Sequence, residues 1–122
     1  MVVAILSPDR AWSQKFSDGL LKRCASNGRY VEVETFCSFE SLDESFDKKP
    51  FGTVIMSADR PDELEHAERI GQKGVRLILL TDSNDVAVKA YSILPDYCTY
   101  KCPDEEDLDR ISSVIFRNHK RE

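Results

Sequence analysis

Continuous runs of apolar residues are the strongest pattern in this chain. Residues 53–56, Thr-Val-Ile-Met, form one that ends abruptly at Ser57, residues 75–81 form a second, and residues 1–6 form a third. Such runs are typical of parallel strands that are covered on both faces. Residues 30–36 alternate between apolar and polar instead, so they predict a half-exposed strand at an edge of the sheet.

Apolar residues with helical spacing follow these strands. Asp9 is expected to cap a first helix, in which every fourth residue belongs to an inward stripe: Trp12, Phe16, Leu20 and Cys24. Ser38 is expected to cap a shorter second helix. Pro61 suits the first position of a third helix, which should run to about Lys73.

Two more helices and a last strand complete the pattern. The helix after residues 75–81 should turn five residues toward the core: Val86, Ala87, Ala90, Tyr91 and Leu94. Residues 97–101 predict the fifth strand, and the acidic run at 104–107, after Pro103, suits the first turn of a fifth helix. Strands that alternate with helices call for a parallel sheet covered by helices on both faces. We therefore predict a three-layer α/β/α fold with a five-stranded parallel sheet, as a single domain over residues 1–122.

The composition is that of an ordinary globular chain, with 122 residues, 41% of them hydrophobic and 32% charged. The formal net charge of −5 argues against a basic face, so no direct contact with nucleic acid is expected. No apolar run approaches the roughly 20 residues of a membrane helix. The amino terminus lacks the basic start and cleavage site of a signal peptide. We expect a cytoplasmic protein that makes no membrane contact.

The motifs of several enzyme classes are missing from the sequence. The turn at residues 6–9 has no glycine that would let backbone amides approach a phosphate, and no Walker-type loop occurs. His66 and His119 have no nucleophile partner in the pattern. Cys98 and Cys102 would lie about 13 Å apart on a strand, which does not match a zinc knuckle. We expect no enzymatic activity, no cofactor and no bound metal.

Two short sequence features point to one family. Residues 33–42 read VETFCSFESL, and Pro61 stands four positions after Ser57 at the end of a buried strand. With these features and its five strand-helix units, the chain resembles the receiver domain of bacterial two-component response regulators over essentially its whole length. The resemblance is closest to the branch that precedes LytTR-type DNA-binding domains. It implies a flavodoxin-like sheet with the strand order 2-1-3-4-5.

Receivers accept a phosphoryl group from a histidine kinase on an aspartate that ends the third strand. An acidic pair after the first strand holds Mg²⁺, a Thr or Ser ends the fourth strand, and a Lys ends the fifth. The resemblance assigns the positions of this pocket to Ser57 (the acceptor), Ser7 and Pro8 (the acidic pair), Asp9 beside them, Thr81 and Lys101. Neutral residues thus stand where three carboxylates would hold the cation, and Mg²⁺ prefers anionic oxygen.

The fifth strand departs from the family pattern as well, since Tyr97 stands four positions before Lys101 and Cys102 precedes Pro103. The resemblance therefore implies a degenerate pseudo-receiver, which lacks the phosphoacceptor and regulates transcription through protein contacts. It implies a homodimer, and five residues are expected on a dimer or output face: Val88, Tyr91, Tyr97, Tyr100 and Arg110. The other implied partners are a histidine kinase or another signalling protein, and an output domain of the LytTR DNA-binding type in a longer transcription regulator.

The nearest competitor is a stand-alone scaffold or binding module with the same fold, and two other functions stay open at this point. A redox- or ligand-gated regulator would use Cys98 and Cys102, because a neighbouring lysine ammonium would lower the pKa of a thiol there. An active receiver would use Asp9 or Asp59 as an unorthodox phosphoacceptor. The two hypotheses differ in chemistry, since one needs an oxidant and the other needs a phosphodonor.

Overall fold

The computed structural model describes residues 2–117, so Met1 of the first predicted strand and His119 lie outside the described part. Five strands alternate with five α-helices along residues 2–117. The strands are β1 (Val2–Leu6), β2 (Glu32–Phe36), β3 (Thr53–Ser57), β4 (Arg76–Leu80) and β5 (Tyr97–Thr99). The helices are α1 (Arg10–Ser26), α2 (Phe39–Phe46), α3 (Leu64–Gly71), α4 (Asn84–Lys89) and α5 (Glu105–Ile115). Across residues 2–117, none of these helices has both the length and the apolar character that a bilayer crossing requires.

The sheet is parallel throughout, with the order β2-β1-β3-β4-β5. This confirms the predicted α/β/α architecture and the strand order that the resemblance implied. In the sheet, Ala4 pairs with Val54 of β3, and Val54 pairs with Leu77 of β4. Strand β2 lies at an edge, as its alternating pattern predicted. Because all the strands run the same way, their carboxyl ends meet at one edge of the sheet, where α/β proteins place their sites.

Alternate residues of the central strands point into two hydrophobic layers. Ile5 and Ile55 pack with residues of α1 and α5, among them Leu20. Ala4 and Val54 face the other way, into a layer built with α2, α3 and α4. All five side chains are fully buried. Covered on both faces, β1, β3 and β4 hold the residues at their carboxyl ends in fixed positions.

The ends of the helices follow the sequence signals. The Asp9 carboxylate accepts the backbone N–H of Trp12 at 3.0 Å, and the Ser38 hydroxyl accepts the N–H three residues on at 3.2 Å. Both residues are therefore N-caps, as predicted. Gly28 after α1 and Gly74 after α3 have φ angles of +74° and +80°. Glycine adopts this left-handed conformation without the strain that a Cβ would cause, and it lets the chain turn away two residues after α1 and three residues after α3.

The fourth helix is shorter than its apolar pattern predicted. Helix α4 has six residues and is followed only by a 3-10 turn, Ala90–Ser92. Val86 and Ala90 are buried, but Tyr91 and Leu94 are 78% and 79% exposed, so the prediction that both face the core was wrong. A 3-10 turn rotates each residue by about 120° instead of about 100°. The positions after Ala90 are therefore carried away from the sheet.

The last two strands contain features that the sequence did not predict. Strand β5 ends at Thr99, so Lys101 lies in the following loop rather than at the end of the strand. Arg76 stands in the buried strand β4 and is only 4% exposed. Its guanidinium donates hydrogen bonds to the carbonyl oxygens of Ile115, at 2.6 Å, and of Arg117. This buried cation fixes the carboxyl-terminal end of α5 against the sheet.

Candidate functional site

Three small hydroxyl residues lie where the central strands end. Ser7 follows β1, Ser57 is the last residue of β3, and Thr81 follows β4. The exposed fractions of these residues are 1%, 4% and 4%. The parallel sheet thus places all three along one edge.

Ser57 and Ser7 contact each other directly. The Ser57 hydroxyl donates a hydrogen bond of 2.8 Å to the Ser7 hydroxyl oxygen, which also accepts the backbone N–H of Asp9 at 3.2 Å. Both buried hydroxyls therefore have partners without any charged group or ligand. Two carboxylates in these positions would repel each other unless a cation or a proton lay between them. Two serines form a neutral pair that needs neither.

Asp9, the carboxylate next to these serines in the chain, has a different role. Its side chain is the N-cap of α1, and both Pro8 and Asp9 are exposed. Among residues 2–117 there is no group of three His, Cys, Asp or Glu side chains that could hold a metal ion. Mg²⁺ prefers several hard, anionic oxygen ligands, and Ser7, Pro8 and Ser57 offer none. The residues at these strand ends therefore do not fit the Mg²⁺ that the receiver fold implies.

Lys101 lies at the same edge of the sheet, with 18% of its side chain exposed. Its Nζ is 3.2 Å from Oδ1 and 3.4 Å from Oδ2 of Asp59, two residues after Ser57. Its backbone N–H donates to Oδ1 of Asp82 at 3.2 Å. The Asp59 side chain is 62% exposed, so water screens this ion pair in part. The pair nevertheless gives the ammonium a partner from within the chain.

Trp12 contacts this site, although sequence reasoning assigned it no role there. Its indole Nε1 donates a 2.8 Å hydrogen bond to the carbonyl oxygen of Lys101, which is 89 positions away in the chain. The Lys101 Nζ lies 6.0 Å from the centroid of the indole ring. The ring also stacks on Phe16, with 5.1 Å between the ring centroids. Helix α1 thereby holds the loop after β5 in place.

Thr81 is held by the turn that begins α4. Its Oγ1 accepts the backbone N–H of Ser83 at 3.0 Å, and its own N–H donates to the carbonyl oxygen of Thr99 at 2.9 Å. Ser83 in turn caps α4 by accepting the N–H of Val86 at 3.2 Å. These bonds fix Thr81 at the end of β4 and join it to the turn.

Cys98 and Cys102 are both exposed free thiols. Desolvation by the surrounding protein raises the pKa of the Cys98 thiol, although the residue as a whole is exposed. The expectation that an ammonium would lower this pKa was wrong, because the Lys101 ammonium pairs with Asp59 and Cys98 instead lines a surface hollow with Tyr91. A raised thiol pKa leaves less thiolate at neutral pH, which argues against Cys98 as a redox sensor.

The residues expected to form a dimer or output face differ in their exposure. Val88, Tyr91 and Tyr100 are exposed at 66%, 78% and 66%. Tyr97 is half-buried against the layer of α1 and α5, and its hydroxyl donates to a carboxylate of α5 at 2.9 Å. Arg110 pairs with the carboxylate one turn earlier on α5 at 2.8 Å. Val88, Tyr91 and Tyr100 thus expose apolar and aromatic surface, whereas Tyr97 holds β5 against α5.

Solved structures of response regulators share this fold. A putative response regulator from Chloroflexus aurantiacus J-10-fl matches with a TM-score of 0.76, at 17% sequence identity, over 95% of this chain and 98% of its own. A response regulator receiver protein from Burkholderia phymatum matches with a TM-score of 0.70, at 16% identity, over 93% of each chain. An orphan response regulator of H. pylori matches with a TM-score of 0.69, at 16% identity, over 94% of this chain and 96% of its own.

These similarities in structure define the chain as one with the receiver fold. No protein-family model matches its sequence, and neither does any curated protein. Any inference about function therefore starts from two features of the structure. One is the strand order β2-β1-β3-β4-β5, and the other is the set of polar residues at the strand ends.

Proposed function

We propose that this chain is a pseudo-receiver, a signalling domain that does not accept a phosphoryl group by the aspartate and Mg²⁺ route. The observation that carries this proposal is the 2.8 Å hydrogen bond from Ser57 to Ser7. It joins the residues that the resemblance assigns to the phosphoacceptor position and to one position of the acidic pair. The two buried hydroxyls are neutral and hydrogen-bond to each other, so they offer no anionic oxygen to a divalent cation.

The chemistry of phosphoryl transfer supports the same proposal. The reaction depends on positioning and on positive charge that balances the phosphoryl oxygens. Ser57 is a neutral alcohol that is 4% exposed, and its proton is donated to Ser7. The nearby ammonium of Lys101 already has Asp59 as its partner. Attack by Ser57 would need a base, and Asp9 is occupied as the cap of α1.

Signalling would then proceed through protein contacts. The exposed residues Val88, Tyr91 and Tyr100 supply a surface for a second copy of the chain or for an output domain. In this proposal the domain is one part of a transcription regulator, whose DNA-binding part is of the LytTR type. A histidine kinase or another signalling protein would act on it by binding and not by phosphoryl transfer.

One observation favours a second function, an active receiver with Asp59 as the acceptor. The Asp59 carboxylate is exposed and lies 3.2 Å from the Lys101 ammonium, which could bind a phosphoryl oxygen. However, Asp59 would have to act with Ser7 and Ser57 in place of metal-binding carboxylates. We therefore rank this function second.

Mg²⁺ binding separates these proposals. The thermal unfolding of the wild type is measured with millimolar MgCl₂ and with NaCl of equal ionic strength, beside a triple variant, Ser7→Asp, Pro8→Asp and Ser57→Asp. We expect no difference between the salts for the wild type. The triple variant should gain about 2.7 kcal/mol at a hundredfold excess of Mg²⁺ over its dissociation constant. A specific rise in the stability of the wild type with Mg²⁺ would count against the pseudo-receiver.

A further inference from the structure

A cavity of about 370 Å³ opens between the start of α1 and the end of β2. Its volume lies in the range of small-molecule sites, which is about 300–1,000 Å³. Most of its lining is polar, and six residues contribute to it: Arg10, Ser13, Gln14, Thr35, Phe36 and Cys37. Neither Ser7 nor Ser57 lines it, and none of the functions considered above uses it.

Cys37 lines this cavity and is an exposed free thiol. Its Sγ accepts a hydrogen bond of 3.1 Å from Nε of Arg10, 27 positions away in the chain. Reactive cysteines are typically exposed and lie in electropositive surroundings. The other three cysteines differ, because Cys24 is buried and neither Cys98 nor Cys102 has such a bond to a guanidinium among residues 2–117.

The Arg10 guanidinium has further N–H groups that can donate to a ligand. Within residues 2–117, no carboxylate forms an ion pair with it, and its one side-chain hydrogen bond goes to Cys37. The terminal N–H groups of its guanidinium therefore remain for another acceptor. A guanidinium binds carboxylate groups through paired hydrogen bonds, which makes a ligand with a carboxylate the natural complement.

Ser13 gives independent support for a ligand in this cavity. Ser13 is 4% exposed, and its hydroxyl has no hydrogen-bond partner among residues 2–117. A buried polar group without a partner is costly, by about 1–3 kcal/mol. Since the same residue lines the cavity, a polar group of a bound molecule would supply the missing partner.

We infer that Cys37 is a site of S-thiolation, where it forms a mixed disulfide with a small thiol that carries carboxylates, of the glutathione class. In this step Cys37 first loses its proton to solvent, and its thiolate attacks one sulfur of the small-molecule disulfide. The new Sγ–S bond forms as the S–S bond breaks, and the second sulfur leaves as a thiolate that takes a proton from water. Cys37 is oxidised and the departing sulfur is reduced, so the co-reactant is the disulfide itself.

The modification would lie next to the serine pair in the fold. The carbonyl oxygen of Phe36, the residue before Cys37, accepts the backbone N–H of Ser7 at 3.0 Å. A group attached to Cys37 would therefore sit one residue from the bond that positions Ser7. This gives the domain a chemical input that needs neither an acceptor aspartate nor a metal ion.

The test is the rate of modification by oxidised glutathione, followed by intact mass and by peptide mapping before and after reduction. Cys37→Ser is compared with Cys98→Ser and Cys102→Ser, which remove the other exposed thiols. We expect one glutathionyl group on the wild type and on the last two variants, and none on Cys37→Ser. Equal modification at Cys98 or Cys102 would overturn the inference.

Arg10 and Ser13 are tested by a second comparison, with a neutral disulfide of hydroxyethyl groups as the control probe. Arg10→Gln should react roughly tenfold more slowly with oxidised glutathione, as expected for the loss of a charge-assisted hydrogen bond. The same variant should be slowed less with the neutral probe, and Arg10→Lys should recover part of the rate. Ser13→Ala should slow only the glutathione reaction. An unchanged rate in Arg10→Gln, or equal slowing with both probes, would contradict a cavity that recognises carboxylates.

Discussion

The Ser57 hydroxyl donates a 2.8 Å hydrogen bond to the Ser7 hydroxyl across the carboxyl ends of β3 and β1. The two residues are 50 positions apart, and both are almost completely buried. Two carboxylates in these positions would repel each other, whereas the two hydroxyls form a neutral contact inside the fold. It should therefore contribute to stability directly, without help from an ion.

The free energy of unfolding should show this coupling. Ser57→Ala removes the donor and should cost about 1 kcal/mol, the usual net value of one hydrogen bond. In a double-mutant cycle with Ser7→Ala, the coupling energy should also be about 1 kcal/mol. Urea unfolding of the four proteins measures it. The exposed Ser113 on α5 gives the control, since Ser113→Ala should not couple to Ser7→Ala.

A second prediction concerns acid stability. Arg23 on α1 binds Asp109 on α5 through two hydrogen bonds of 2.6 and 2.8 Å, and this guanidinium lowers the pKa of the Asp109 carboxyl. Unfolded aspartate has a pKa of about 3.9. Because the folded pKa lies lower, the stabilisation is fully present above the unfolded value and is lost as the pH falls through the folded value.

Asp109→Asn should therefore be less stable than the wild type at pH 7, and the difference should shrink below about pH 4, close to the pKa of unfolded aspartate. Urea unfolding at pH 7 and at pH 3 measures the difference in stability. Asp47→Asn, at the exposed end of α2, serves as the control. A difference that stays constant from pH 7 to pH 3 would mean that the ion pair does not control the protonation of Asp109.

The buried Arg76 should stabilise the end of α5. Arg76→Met keeps most of the apolar stem but removes the hydrogen bonds to the carbonyl oxygens of Ile115 and Arg117. We expect a loss of about 3 kcal/mol, since hydrogen bonds from a charged donor contribute more than neutral ones. Hydrogen exchange should increase most in the last turn of α5. Arg60→Met, at an exposed arginine, should change neither quantity appreciably.

Self-association gives a fourth prediction. If Val88 and Tyr91 form part of a dimer face, Tyr91→Glu should lower the dimer fraction in sedimentation velocity experiments by placing charge in an apolar contact. Tyr30→Glu is a matched control, because Tyr30 and Tyr91 are both 78% exposed but lie on different parts of the fold. The proposed face would be wrong if the two substitutions had the same effect.

The sequence predicted the fold well because its signals are local and repeated. Apolar runs marked β3 and β4, and Asp9 and Ser38 marked the starts of two helices. Tyr91 and Leu94 were misplaced because the 3-10 turn after α4 changes the angular spacing without any clear mark in the sequence. The apolar residues after the end of α4 keep the spacing of a helix in the sequence, although the helix itself has stopped.

The contacts at the site were less predictable, because most of them join loops that are distant in the chain. The end of an apolar run located Ser57, and the resemblance located Ser7. Two of these contacts are the hydrogen bond from Trp12 to Lys101 and the one from Arg10 to Cys37. Both depend on which strands lie side by side and on the path that each loop takes after its strand. Lys101 pairs with Asp59 for the same reason, since β5 ends two residues before the lysine.

The central claim is that this domain does not take up a phosphoryl group, and intact mass after incubation with acetyl phosphate and Mg²⁺ tests it most directly. The variant Ser7→Asp, Pro8→Asp, Ser57→Asp serves as the positive control. We predict no added phosphoryl group on the wild type under conditions that modify the triple variant. A Mg²⁺-dependent phosphoryl group on the wild type that disappears in Asp59→Asn would contradict the account and make the domain an active receiver.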